Sequence, residues 1–317
     1  MTTEDPKAAQ PRSQPPGDGA EQAPLEAAPK APGEGAEELS PEEATPTHPG
    51  SGWLAIREEI PAWMWWSLGT IPILAILGLW WFLTAGATPE SRIMSPTILP
   101  SPLEVLRSFP SLWFERALTR NVMVSLGRVV AGFAVGVAIA FPLGVLMGSF
   151  TKIKATFNPV AVLGAYLPIP ALVPLTLSLL GTGEEQKIGF LALAFFVYLL
   201  PLIVAAVDDV DPVYLKTAYT LGATKWQTVT KVLLGISWHD IYQALRLGFG
   251  IGWSYILLAE MVDIGRGIGG LIITSQRRGP REHIYLALLV IIALAFVTDK
   301  LWAALGKRLF PYREEAR

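Results

Sequence analysis

Six stretches of the sequence, at about 67–85, 122–150, 157–180, 188–207, 241–261 and 284–305, are mostly apolar. Each is close to the ~20 residues that cross a hydrocarbon core. A lone strand in lipid would leave its backbone groups unpaired, and the alternation of a barrel wall is missing, so the runs are predicted to be helices. Trp63, Trp65 and Trp66 ahead of the first run, with Trp80 and Trp81 near its far end, suit the aromatic belts of two water boundaries. The expected fold class is an all-α membrane protein with six transmembrane helices, in contact with lipid. Composition agrees, since 51% of residues are hydrophobic and 16% charged, against roughly 25% charged in soluble domains. The absence of cysteine excludes disulfides, thiol catalysis and cysteine zinc sites. No basic block or basic-aromatic stripe stands out, so nucleic acid is not an expected partner.

Residues 1–50 read differently. They hold ten prolines, ten acidic and three basic residues and no Phe, Tyr or Trp. Such a segment buries too little apolar surface to offset the entropy of ordering and is predicted to be a disordered N-terminal tail. It is either a solvated tail without a required role or a tether for a partner. It lacks the apolar run of a signal peptide. The expected division is therefore tail 1–50, interfacial segment 51–66 and transmembrane domain 67–317. Flanking Lys and Arg residues number ten on the tail's side and nine on the other, which leaves the positive-inside rule undecided. A long hydrophilic tail without a signal is more easily left in the cytoplasm, and that favours a cytoplasmic N-terminus.

The 208–240 segment is too long for a simple turn. Asp211-Pro212 offers an N-cap acceptor and a proline at the first helical position. The predicted helix 212–221 ends at Gly222, suited to the left-handed closing residue. Thr224 and Gln227 have capping-box spacing and start a second helix, with Trp226, Val229 and Leu233 on one face. Such a pair of short amphipathic helices is either a hairpin lying on the bilayer or a docking element for a soluble partner.

This loop resembles the signature of permease subunits of binding-protein-dependent ABC importers: Glu-Ala-Ala, three residues, Gly, nine residues, Ile, one residue, Leu-Pro. Aligned on Gly222, the chain has Lys216-Thr217-Ala218 before it and Val232-Leu233-Leu234-Gly235 after it. Lys216 replaces the leading glutamate and Gly235 the closing proline. Further motifs look like the nitrate, sulfonate, taurine and bicarbonate branch of these permeases. They include Leu99-Pro100-Ser101-Pro102, Ser125-Leu126-Gly127-Arg128-Val129 before Gly132-Phe133, and Pro168-Ile169-Pro170 with Pro174-Leu175. Leu245-Arg246-Leu247-Gly248, Ala259-Glu260-Met261 and the glycine-rich 265–270 belong to the same set. The resemblance covers about 98–309.

The resemblance implies a MetI-like permease fold in the cytoplasmic (inner) membrane, with the loop and both termini cytoplasmic. Two copies would form the pore as a homodimer, gripped by a cytoplasmic ABC ATPase dimer and served by an extracytoplasmic substrate-binding protein. Lys216, Thr217, Ala218, Gly222, Ala223, Trp226, Leu234 and Gly235 would form the ATPase-coupling surface. The chain has no GxxxxGK[ST] phosphate loop. It is therefore expected to be no enzyme and to bind no cofactor, with ATP and Mg used by the partner ATPase. Lys216 is either matched by an acidic groove on that ATPase or weakens coupling.

Ionisable groups within spans are functional candidates. Arg128 either attracts an anion along the path or is an arginine that snorkels or pairs within the bundle. Glu260 and Asp263 are placed to gate or to pair with Arg266, and Arg246 to mark the cytoplasmic boundary of the fifth span. Pro168, Pro170 and Pro174 interrupt the third span, which makes 166–175, beginning at Tyr166, either a path segment or a packing kink. Gly132, Gly136, Gly144 and Gly148, like Gly248, Gly250 and Gly252, suit close helix approach. His48, His239 and His283 form no catalytic or metal constellation, and no serine sits in a nucleophile elbow. The alternative is a stand-alone channel or secondary transporter; internal repeats, their usual mark, are not evident.

Overall fold

The computed structural model describes residues 60–86, 88–262 and 265–311. The tail 1–50, most of 51–66, and Asp263 lie outside the described residues. Among those described, every regular element is a helix, and the compact unit begins at Ala62.

Helix α1 (Ala62–Thr84) takes in Trp63, Trp65 and Trp66, so the helix reaches into the segment expected at the interface. Its apolar side chains Ile71, Leu74 and Ile76 point outward, as a lipid-facing span requires. Trp80 Nε1 donates to the Pro100 carbonyl at 2.9 Å, tying α1 to the start of the next helix. There Ser101 and Glu104 form a capping box at α2 (Pro102–Arg107), and α3 (Phe109–Phe114) leads to α4.

The body is built on α4 (Leu118–Ser149) packed against α7 (Glu184–Asp208). The four-residue glycine spacing on α4 lets the two backbones close. A Cβ at Gly132, Gly136, Gly144 or Gly148 would come within 2.5–2.8 Å of Leu191, Phe195, Ile203 or Val207 on α7. Gly248 and Gly252 of α10 (Leu234–Met261) meet Leu199 and Phe195 in the same way. Gly250 does not: nothing lies within 4 Å of its Cβ direction. Phe133 stacks edge-on against Phe195, Phe249 and Trp302, joining α4, α7, α10 and α12 (Glu282–Leu309).

Two expected spans take a different form. The third is broken: α5 (Thr151–Ala165) stops, a 3₁₀ turn covers Ile169–Ala171, and α6 (Leu172–Leu180) leaves at 90° to α5. Pro168 and Pro170 donate no N–H, and each disfavours helix in the residue before it, so the chain turns instead of bending. The fifth, α10, is long enough, but Ser237, His239, Asp240, Gln243, Arg246 and several glycines dilute its apolarity. Among the described residues four helices (α1, α4, α7 and α12) are therefore long and apolar enough to span, or five with the bent pair, where six were expected. Ser237 and Arg246 of α10 bond to protein groups, the Leu233 carbonyl and Asp299, rather than facing lipid unpaired.

Candidate functional site

The 208–240 segment is organised by its caps. Asp211 Oδ1 accepts from the Val213 N–H at 2.8 Å, and Pro212 opens α8 (Pro212–Thr220). Gly222, at φ 78°, closes it. The Ala223 N–H donates to the Ala218 carbonyl and the Gly222 N–H to that of Tyr219, both at 3.0 Å. This paired closure satisfies carbonyls that the helix end would otherwise leave open. Thr224 and Gln227 then form a reciprocal capping box at α9 (Lys225–Gln227).

Beyond α9 the chain differs from the expectation of a short helix. Residues Thr228–Leu233 are π-helical and run without interruption into α10. The wider π turn shifts the register, so Val229 and Leu233 are buried while Trp226 is 63% exposed. Trp226 therefore leaves the shared face and lies edge-on to Phe150, 6.1 Å between centroids. On α8 only Ala218 is buried; Lys216 and Thr217 are exposed, as are Tyr214, Tyr219 and Leu221. Gly222 and Gly235 are not buried either, and Ala223 and Leu234 are half-buried. A groove of about 430 Å³ separates this pair from the α4–α5 junction, lined by Phe150, Lys152, Leu215, Tyr219, Lys225 and Val229.

The second cluster lies at the other end of α4. Arg128 sits almost three turns into the helix, roughly 15 Å from its start, and is 3% exposed. Its Nε and Nη2 donate to the two carboxylate oxygens of Glu184, the first residue of α7. Its Nη1 donates to Glu260 Oε1 at 2.7 Å and to the Arg266 carbonyl at 2.6 Å. Glu260 also accepts from Ser125 Oγ and, at 2.8 Å, from the Gly269 N–H. The Ile268 N–H donates to Ser125 Oγ and the Gly267 N–H to Asn121 Oδ1. Side chains from α4 and α10 thus satisfy the first amides of α11 (Ile268–Arg278), a buried helix start that would otherwise carry unpaired donors. Gly267, at φ 122°, leaves no room for a Cβ, which would overlap the Glu260 carboxylate.

Of the readings open for Arg128, the structure has it paired within the bundle. Glu260 is likewise buried and pairs with Arg128, whereas Arg266 contributes a carbonyl to the cluster. Arg246 lies inside α10 in a bidentate pair with Asp299 of α12, at 2.7 and 2.8 Å. The proline segment lies elsewhere. Pro168 and Pro170 line a cavity of about 530 Å³ with Tyr198 and Tyr255, and Tyr166, 83% exposed, lines another of about 370 Å³ with Asn158. Neither cavity includes Arg128 or Glu260, so the five path candidates form no single site in one chain. Sequence reasoning gave no site role to Glu184, Ser125, Asn121 or Asp299. Glu184 stood outside the fourth apolar run, and its only signal was an acidic helix start after Gly181 and Gly183. Among the described residues no group of three or more His, Asp or Glu side chains is placed to hold a metal.

Residues 140–311 match the family described as binding-protein-dependent transport system inner membrane component. The chain is 29% identical over 258 residues to the taurine transport system permease protein TauC of Escherichia coli, covering 79% of this chain and 90% of that one. It is 23% identical to the putative aliphatic sulfonates transport permease protein SsuC of Bacillus subtilis, over 78% of this chain and 88% of that one. The nitrate import permease protein NrtB of a Synechocystis strain is 24% identical, over 77% and 90%. Among solved structures, the inward-facing MetNI methionine ABC transporter aligns with a TM-score of 0.56 at 19% identity, covering 63% of this chain and 97% of that one. That likeness shows the fold.

Proposed function

The chain belongs to the family of inner membrane components of binding-protein-dependent transport systems, and we propose that it is the pore-forming subunit of an ATP-driven importer of a small oxyanion. The relatives named for taurine, aliphatic sulfonates and nitrate support that solute class. In this reading two copies enclose the path, an extracytoplasmic binding protein delivers the solute, and a cytoplasmic ATPase, which alone uses ATP and Mg, grips 208–240.

The observation that carries the reading is mechanical. From Lys225 to Met261 the chain is one continuous helical rod, α9 through the π segment to α10, about 55 Å long. One end lies beside the exposed faces of α8 and Trp226; the other holds Glu260 in the capped start of α11. A push on α8 and Trp226 is thereby delivered to the far end of the bundle. ATP would bias the two states only by its different affinities for them. Lys152, Lys216, Lys225 and Lys231 are exposed around this face alongside Asp208, Asp209 and Asp211; an acidic group in the ATPase groove would answer Lys216, which stands where the family signature has glutamate. Thr217, Ala218, Gly222, Ala223, Leu234 and Gly235 shape or border that face. Tyr166, Pro168 and Pro170, at the right-angle break, suit a path between two copies.

Gly222→Pro tests the grip. The protein should still insert, because the spans are untouched, but transport-linked ATP hydrolysis by the co-purified ATPase should be lost. Wild-type hydrolysis and uptake in that variant would refute the docking role.

A further inference from the structure

Arg128 holds two carboxylates that differ in what they could give up. Glu260 has a fully buried side chain, 0% exposed, and its oxygens also accept from Ser125 and the Gly269 amide, so it cannot leave without opening the start of α11. Glu184 has a side chain 61% exposed, and its side-chain hydrogen bonds among the described residues are the two to Arg128. It is the first residue of its helix and follows Gly181, at φ 73°, and Gly183. One carboxylate belongs to the scaffold. The other is a tethered anion at a water-facing edge.

Resting on the importer reading, we propose that the Nε–Nη2 edge of Arg128 is an oxyanion-binding site on the transport path, occupied in this state by Glu184 as a stand-in for the solute. The two parallel N–H groups match any group presenting two oxygens about as far apart as a carboxylate's, which nitrate, bicarbonate and sulfonate all do. The exchange conserves charge: one anion leaves Arg128 as another arrives, so the buried guanidinium is never left with less countercharge. Glu184 swings into water it already touches, at little desolvation cost. Arg266 and Lys187 lie close enough to act on Glu184 electrostatically, and would act likewise on an anion bound in its place. Because a tethered competitor acts at an effective concentration of millimolar or more, the site holds its solute weakly. A transit site must also let go.

The test is equilibrium binding of radiolabelled taurine, with nitrate and bicarbonate as competitors, to the full-length chain in lipid nanodiscs at constant ionic strength. Glu184→Gln removes the competitor's charge at constant shape and should lower the Kd about tenfold or more. Glu184→Asp, with a shorter reach and the charge kept, should give a smaller gain in the same direction. Adding Arg128→Lys to Glu184→Gln keeps a cation for Glu260 but removes the two-pronged edge, and should erase the gain. Unchanged affinity in Glu184→Gln or Glu184→Asp protein whose thermal unfolding shows it folded, or a gain that survives Arg128→Lys, would overturn the site. Absence of binding by all three anions in wild type and variants would overturn it too. None of these outcomes bears on ATPase coupling, which Gly222→Pro reads separately.

Discussion

Replacing Glu260 by glutamine isolates what the buried carboxylate contributes. Its two oxygens face donors only: Ser125 Oγ, Arg128 Nη1 and the Gly269 amide. Glutamine keeps the shape and one acceptor, but its NH₂ must face either Arg128 or the amide. The exchange therefore forfeits a charge-assisted hydrogen bond, roughly 1.5–3 kcal/mol, and leaves one buried donor unpaired, roughly 1–3 kcal/mol. Arg128 keeps Glu184, so the sum should fall short of the ~3–5 kcal/mol for breaking a buried pair outright. The expected loss is about 2.5–4 kcal/mol. Reversible unfolding in mixed micelles of wild type, Glu260→Gln, Arg128→Met and the double variant gives the cycle. The double variant should cost less than the sum of the singles by more than ~0.5 kcal/mol, the limit for independent sites. Amide exchange at Gly267, Ile268 and Gly269 should quicken in Glu260→Gln while the middle of α4 stays protected. Additive effects, or unchanged exchange at the start of α11, would refute the assignment of Glu260 as the clasp of that helix.

Helix packing and the surface ion pairs are open to the same kind of test. Gly136→Leu should push α4 from α7, since even a Cβ would lie 2.7 Å from that of Phe195; a cost of about 1–3 kcal/mol or more is expected. Gly250→Ala, with nothing within 4 Å, should be neutral or slightly stabilising, and equal unfolding of the two variants would contradict the packing. Outside the spans, Arg92 holds the Glu104 carboxyl down to about 2 from its ordinary 4.5, helped by the Ser101 cap. The stabilisation is present above pH 4.5 and should fade between 4.5 and about 2. The difference in thermal midpoint between wild type and Glu104→Gln should shrink across that window, and a constant difference would refute the linkage. Deleting Thr230 removes a residue from the π segment and should rotate α8 by roughly 100° relative to α10. The protein should insert but lose coupled hydrolysis, and retained coupling would show that the register there is immaterial.

The caps of 208–240 could be read from sequence because each depends on residues within a few positions. Asp211, Gly222 and the Thr224–Gln227 pair act on their own backbone. The glycine spacing of α4 announced a close approach, though not that α7 would be the partner. Trp226 was misplaced because the π segment changes the turn width, which no spacing rule anticipates. The pairing of Arg246 with Asp299 was out of reach of local pattern because the two lie 53 residues apart.

Periodicity, apolar length and capping chemistry are properties of neighbours along the chain, so the amino-acid order alone determined an all-helical membrane body and a bent helix pair beside it. It did not determine that the third apolar run would break at a right angle. Nor could it assign Arg128 its two carboxylates, 56 and 132 residues away, one buried and one facing water. Those choices belong to the tertiary structure, because a buried charge takes whichever partner the packing of helices brings within reach, and that packing is settled by the whole bundle at once.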